Sequence, residues 1–341
     1  MNKKLKTLFL KGANFLGSEL PIMGGAMTWL SESNLVSATS NAGGFGVIAA
    51  GPMNKKQLEE EINKTKLKTN NPFGVNLILM HPQIEELIDV CLRLKVELVV
   101  FAGGFPKKRQ IEKLRSQGIK TMCFATTISI AKKMVLYGVG GLILEGNEAG
   151  GHIGPVSINL LAQEILPAFK NVPIFVAGGI GRGEIFLKYL ELGAAGCQIG
   201  TRLVCSKESV AHKNFKEMFI KSEARNSQIS VRLDERFPVI PVRAIENNAT
   251  KKFVEEQKKV LVLLEKKKIS LKDAQLHIEH FWAGSLRKAV LDGDVENGSL
   301  MAGQSVGLVK KIQTVQEILN EFIMQADNQI KSEEKMYKDG R

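Results

Sequence analysis

The sequence predicts an α/β chain: a TIM (β/α)8 barrel followed by a smaller, mostly helical second domain inserted after the eighth strand. Three observations carry this expectation. Eight short apolar runs alternate with stretches of helix-like spacing. The runs are nearly continuous in apolar character, as parallel strands covered on both faces are. Several end in glycine-rich loops, where a rigid scaffold commonly presents its chemistry. Eight β/α units in roughly two hundred residues fit a barrel. An open doubly wound sheet is the alternative arrangement.

The strand candidates are residues 21–23, 45–49, 73–78, 98–101, 120–124, 141–144, 174–177 and 196–200. Between them, residues 55–64, 83–94, 107–117, 128–137, 160–169 and 183–192 show helical spacing with polar faces. After Thr201 the rhythm stops. Residues 205–299 lack the alternation and carry helical stretches at 252–268 and 271–280. The small residues of 299–308 suit close packing on the barrel. An amphipathic helix is expected near 314–325, then a charged tail, 331–341, that frays. The expected organisation is a cofactor-binding barrel over 1–204, a helical cap or substrate domain over 205–299, and a C-terminal segment over 300–341 that returns to the barrel.

The 341 residues are 44% hydrophobic and 24% charged, an ordinary balance for a globular enzyme. The formal net charge of +12 would suit acidic partners. The basic residues are dispersed, however, and aromatics make up only 6%, so a lysine-rich solvated surface is the preferred reading and no nucleic-acid platform is expected. Cys91, Cys123, Cys197 and Cys205 form no CxxC pair or zinc spacing, and are read as reduced core residues of a cytoplasmic protein. The basic start has its apolar run broken by Lys11, unlike a signal peptide. No run has the length of a membrane span.

The most informative stretch is 143–154, Ile-Leu-Glu-Gly-Asn-Glu-Ala-Gly-Gly-His-Ile-Gly. An apolar run ends in a glycine loop that delivers one imidazole, His152. Glycine permits close backbone approach and positive φ, and histidine exchanges protons near neutral pH. A tight turn with a surface histidine is the plain alternative. In a barrel the active face is built by loops after the strand C-termini, and loops after strands seven and eight often bind phosphate. Here those loops read Gly178-Gly179-Ile180-Gly181-Arg182-Gly183 and Gly200-Thr201-Arg202. Their spacing does not fit a G-x-G-x-x-G fingerprint, so a phosphate-bearing cofactor across the two turns is the better inference. Met23-Gly24-Gly25-Ala26-Met27, Asn76, Ala102-Gly103-Gly104 and Glu145 stand at other strand ends. Glycine backbone, one amide, one carboxylate and one histidine suit a flat heterocycle with a phosphate tail.

Other candidates carry less. His277 and His280 flank Glu279 on an expected helix, too few ligands for a metal at that spacing. His81 and His212 read as loop residues. No Gly-x-Ser-x-Gly elbow exists, and Cys205 has no identifiable base.

Taken together, these segments resemble the nitronate monooxygenase family, which includes the FMN-dependent enoyl-acyl carrier protein reductases of type II. The resemblance rests on residues 21–29, 40–46, 72–76, 145–154, 177–180, 198–202 and 301–304, with the Ala-Gly-Gly-His-x-Gly and Gly-Thr-Arg elements the most specific. It implies a TIM barrel with non-covalent FMN. Asn76, Glu145, Gly150, Gly179, Gln198, Ile199, Gly200 and Thr201 fall on flavin-binding positions, and His152 on the catalytic histidine. Met23, Gly24, Gly151 and Gly178 complete the expected cofactor set, and no metal is expected. The first loop departs from the Gln-Gly-Gly-Met of many relatives, and Glu145 stands where many nitronate oxidisers have glutamine. Two reactions follow from the resemblance. The first is oxidation of alkyl nitronates or nitroalkanes by oxygen through the flavin, with His152 as acid/base. The second is NAD(P)H-dependent reduction of an enoyl thioester, with an acyl carrier protein as partner. Glu145 and the stretches 211–215 and 241–245 look more like the reductase branch. A homodimer fits either reading, and a flavin-free binding barrel is the third possibility.

Overall fold

The apolar runs do pair in parallel, each with its neighbour around a ring. The structure, a computed structural model, describes residues 1–234 and 240–339. A leading helix, α1 (Lys3–Leu16), precedes β1 (Ile22–Gly24) and α2 (Ser33–Asn41). The alternation continues through β2 (Gly46–Ala49), α3 (Lys55–Lys68), β3 (Phe73–Ile78), α4 (Ile84–Arg93), β4 (Leu98–Ala102), α5 (Lys108–Arg115), β5 (Lys120–Phe124), α6 (Ile128–Leu136) and β6 (Gly141–Glu145). The glycine-rich loop after β6 holds a two-residue strand, β7 (Gly151–His152). Then come α7 (Ile158–Ile165), β8 (Ile174–Ala177), α8 (Gly183–Glu191) and β9 (Gly196–Ile199). The sheet order is β1-β9-β8-β6-β5-β4-β3-β2. The Met23–Phe45 pairing closes it, with Phe45 N donating to Ile22 O and Gly24 N to Phe45 O, both at 2.9 Å. This is the closed barrel, not the open sheet.

Alternation along each strand sorts the side chains into two layers. Met23, Val47, Leu98, Val100, Met122, Ile143, Phe175 and Ala177 share one apolar cluster inside the ring. Ile22, Ile48, Val75, Leu77, Val99, Leu144, Val176, Cys197 and Ile199 pack outward with the helices. Both faces of each strand are therefore buried, which is why the runs read as unbroken apolar sequence.

Past the ring come α9 (Thr201–Val204), α10 (Lys213–Lys221), β10 (Ser227–Ile229), β11 (Val242–Ile245), α11 (Asn248–Glu265), α12 (Leu271–Arg287), β12 (Leu300–Met301) and α13 (Val315–Asp339). Helices α11 and α12 form the cap, with Phe253, Val260, Ala274, Ile278 and Trp282 in its core and the Phe253 and Trp282 rings 4.3 Å apart. A small antiparallel sheet, β10-β11-β12 with β7 on β11, joins the cap to the loop after β6. It draws strands from all three expected segments; residues 235–239 of the middle one lie outside the described residues. The expected fraying of 331–341 is not what the structure places there: α13 continues to Asp339, and residues 340–341 lie outside the described residues. Within that stretch of α13, Lys188 Nζ donates to Glu333 Oε1 at 2.6 Å and Asn2 Nδ2 to Glu334 Oε1 at 3.1 Å, tying it to α8 and the N-terminus.

Helix α13 seals α8. Gly183 N donates to Gln325 Oε1 at 2.7 Å, and a Cβ on Gly183 would stand 1.9 Å from Phe322 O. Two backbones meet there, so neither can yield cheaply. Gly183→Ala is expected to cost about 1–3 kcal/mol or more, as overpacking does. Urea denaturation checks it, and an unchanged midpoint would contradict the close packing.

Candidate active site

Strand parity gathers the polar residues. Asn76, Glu145 and Gln198 each share the inward phase of their strands, since their neighbours Val75, Leu77, Leu144, Cys197 and Ile199 face outward. Glu145 pairs in register with Ala177, Ala177 with Gln198, and Gln198 with Met23. They sit at the C-terminal ends of the strands, above the apolar fill of the ring. Asn76 is buried and donates from Nδ2 to Val100 O at 3.3 Å.

Glu145 is partly buried, and desolvation pushes its carboxyl up to about 8. At neutral pH it is largely a neutral acid that can donate a hydrogen bond. Below about pH 4.5 the group is protonated in folded and unfolded chain alike. Above that, the unfolded chain ionises while the folded group keeps its proton until about pH 8. The stability it contributes therefore falls across this interval and levels off beyond it. Glu145→Gln lacks the transition. The variant apoprotein is expected to gain on wild type in urea midpoint between pH 5 and pH 8; parallel curves would contradict the burial of this carboxyl.

The glycine turns meet on one rim. A Cβ on Gly178 would lie 3.0 Å from Gly146 O and 3.2 Å from Ala149 N, and one on Gly179 would lie 3.2 Å from Glu148 Cβ. Both residues have positive φ, +95° and +69°, a region glycine enters without strain. Gly303 N donates to Thr201 Oγ1 at 3.0 Å, and Gln304 N to Glu148 O at 2.9 Å. The segment after β12 thus ties the loop after β6 to the end of β9. Among the described residues, the backbone N–H groups of Gly179, Ile180, Gly200 and Thr201 donate to no protein acceptor. Four unpaired donors on two adjoining turns form a ready cradle for an anion.

The other expected residues are placed differently. Met23 belongs to the apolar fill. Gly24 faces outward against Leu203 and Thr39, and the Ile199 side chain packs in the outer layer. Gly24 and Ile199 can reach the mouth only through backbone. Gly150 fits against the backbone of Ala302 and Gly303. Arg202, beside Thr201, turns away: its guanidinium donates to Leu308 O and Glu321 Oε2, both at 3.0 Å.

Exposed His152 is fixed at the backbone by pairing with Val242. Its Nε2 stands 3.1 Å from Glu279 Oε2 on α12. Gly151, at φ +80°, pairs with Arg243. The buried Arg243 guanidinium donates to Asn147 O at 2.7 Å and Ser227 O at 2.6 Å, pinning the histidine loop to the small sheet. One turn beyond Glu279, Ala283 O accepts from Trp29 Nε1 at 3.0 Å. Trp29 holds φ +67°, a strained conformation for a bulky residue. Helix α12 therefore touches the loops after both β1 and β6. Sequence reasoning did not find Glu279, Trp29 or Arg243 as site residues. Trp29 and Arg243 had a signal, lying in the 21–29 and 241–245 stretches noted for their resemblance.

Two alternatives lose ground. Burial pushes the Cys205 thiol up to about 12, leaving little thiolate for nucleophilic work. His277 is engaged by Glu256 at 2.7 Å, and no group of three metal-ligating side chains occurs among the described residues.

Unpaired amide turns, inward polar side chains and a histidine beneath the cap thus gather on one rim of a closed (β/α)8 barrel. The sequence pattern of the family described as nitronate monooxygenase matches residues 12–325, so the chain belongs to that family. Among curated relatives, it is 33% identical to (3aS,4S,5R,7aS)-5-hydroxy-7a-methyl-1-oxo-octahydro-1H-indene-4-carboxyl-CoA dehydrogenase of Rhodococcus jostii (strain RHA1), over 67% of this chain and 65% of that protein's own length. It is 28% identical to a probable nitronate monooxygenase of Staphylococcus aureus (strain JH9), covering 85% of this chain and 90% of the relative. Among solved structures, FabK from Thermotoga maritima superposes with a TM-score of 0.84 at 32% identity, covering 95% of this chain and 98% of the other. Nitroalkane oxidase from Streptomyces ansochromogenes shares the fold at a TM-score of 0.76 and 24% identity, covering 94% and 99%.

Proposed function

We propose that this chain is an FMN-dependent oxidoreductase that acts on an uncharged acyl thioester, with NAD(P)H as reductant and His152 handling the substrate's proton. The donor set fits the cofactor. The amides of Gly179, Ile180, Gly200 and Thr201 would hold the phosphate. Asn76, Gln198 and a neutral Glu145 would offer hydrogen bonds to a heterocycle's edge at the end of the apolar ring. When bound, the flavin supplies reversible hydride transfer between nicotinamide and substrate. His152 would then give a proton to the carbon next to the one receiving hydride, as a positioned general acid.

The observation that carries the substrate class is Glu279, a carboxylate 3.1 Å from His152 Nε2. Such a neighbour repels an anionic nitronate and tolerates a neutral thioester. Similarity at 33% identity to a protein named for a CoA thioester supports the same direction. Oxidation of nitronates is the second reading, favoured by the family match and the Staphylococcus aureus relative.

Anaerobic mixing separates them. The thioester reading expects NAD(P)H to bleach the flavin absorbance rapidly and an enoyl thioester to restore it. Bleaching by an alkyl nitronate, with the nucleotides inert, would reverse the assignment.

A further inference from the structure

We infer that Glu279 is a positioning residue for His152, fixing which ring nitrogen carries the proton. The inference rests on the reading that His152 exchanges a proton with substrate. With the backbone of His152 locked to Val242 by strand pairing, only its two side-chain torsions remain free. Glu279 limits that freedom from above: its Oε2 lies 3.1 Å from Nε2, a contact that disfavours a lone pair facing the carboxylate and favours the proton on that nitrogen. Nδ1 is then the nitrogen left to take up and release a proton.

The carboxylate is itself held in place. Ile278 and Trp282, flanking it on α12, are buried in the cap core. Ala283 O is tied to Trp29 on the loop after β1. Neighbouring His277 turns to Glu256 on α11 and does not compete for Glu279. The cap helix and the glycine loop thus meet in one imidazole–carboxylate contact whose partners come from distant parts of the chain. A histidine oriented by a carboxylate on its second nitrogen is the general device by which a protein sets tautomer and ring direction.

The test uses the FMN-loaded enzyme labelled with 15N-histidine, the His152 signals being assigned by their loss in His152→Ala. The wild type is expected to show a proton on Nε2 of neutral His152. Glu279→Ala should give a mixture of tautomers and lower kcat by about tenfold to a hundredfold, the scale of a misplaced catalytic group, with KM changed less than twofold. Glu279→Gln, which keeps an oxygen at the same place, should recover both the tautomer and most of kcat. If Glu279→Ala leaves the tautomer unchanged, or raises KM while sparing kcat, the positioning role is wrong and Glu279 merely fastens the cap. Full turnover in His152→Ala would instead overturn the acid–base reading, while the tautomer signal still decides whether Glu279 orients the ring.

Discussion

His152→Ala is expected to keep its flavin, and hence its yellow colour, and to lose about a hundredfold or more in turnover, the range for a missing general acid or base. The two effects separate because the anchors are separate. The unpaired amides lie on the turns after β8 and β9, whereas His152 stands on β7, paired to the small sheet and not to the barrel ring. Removing an exposed imidazole leaves no buried cavity, and the Gly151–Arg243 pairing remains to hold the loop. Reduction by NAD(P)H should proceed at close to the wild-type rate, since no substrate carbon is protonated in that half of the cycle. Loss should appear in the half that consumes the thioester. Steady-state turnover and stopped-flow reduction of the same preparation measure both quantities. Unchanged turnover would remove His152 from the chemistry.

Gly150→Ala is expected to damage the site through packing. A Cβ there would lie 2.5 Å from Gly303 N, 2.6 Å from Ala302 C and 2.9 Å from Ala302 Cα. All three are backbone atoms, and their segment is held on both sides, by Gly303 N to Thr201 Oγ1 and by Gln304 N to Glu148 O. Relief of the clash means moving the strap that joins the histidine loop to the end of β9. The cost should be about 1–3 kcal/mol in stability, with weakened FMN retention because Thr201 loses its partner. Gly284, on α12, is the control: a Cβ there meets nothing within 4 Å. Gly284→Ala should be neutral or stabilising by up to about 1 kcal/mol, as alanine is in a helix. Urea denaturation of the apoproteins and FMN titration compare the two. Equal behaviour of both variants would refute the packing argument.

The barrel was legible because its signal is local. A parallel strand buried on both faces leaves an apolar run, and all eight runs lie within a residue or so of the observed strands. The last residue of β6 shows the limit: Glu145 ended the apolar run but belongs to the strand, its charge suppressed by burial. Helix α1 was passed over because its first residues read as a basic start. Leu5, Phe9, Gly12 and Leu16 form its buried stripe. The small sheet was invisible, since strands of two to four residues such as β7, β11 and β12 are too short to show a period. The glycine turns could be placed from strand ends alone. The meeting of His152 with Glu279 could not, because a helix far along the chain supplies the carboxylate and nothing in its local sequence marks it. Gly150 carried a signal whose physical reason, backbone contact with Ala302 and Gly303, only the fold provides.

One titration bears most directly on the account. The apoprotein is mixed with FMN and, separately, with riboflavin, and binding is followed by flavin fluorescence. If the amides of Gly179, Ile180, Gly200 and Thr201 hold a phosphate, FMN binds tightly and riboflavin at least about a hundredfold more weakly, the difference that two or more charge-assisted hydrogen bonds provide. Equal affinity for the two flavins, or none for either, would contradict it.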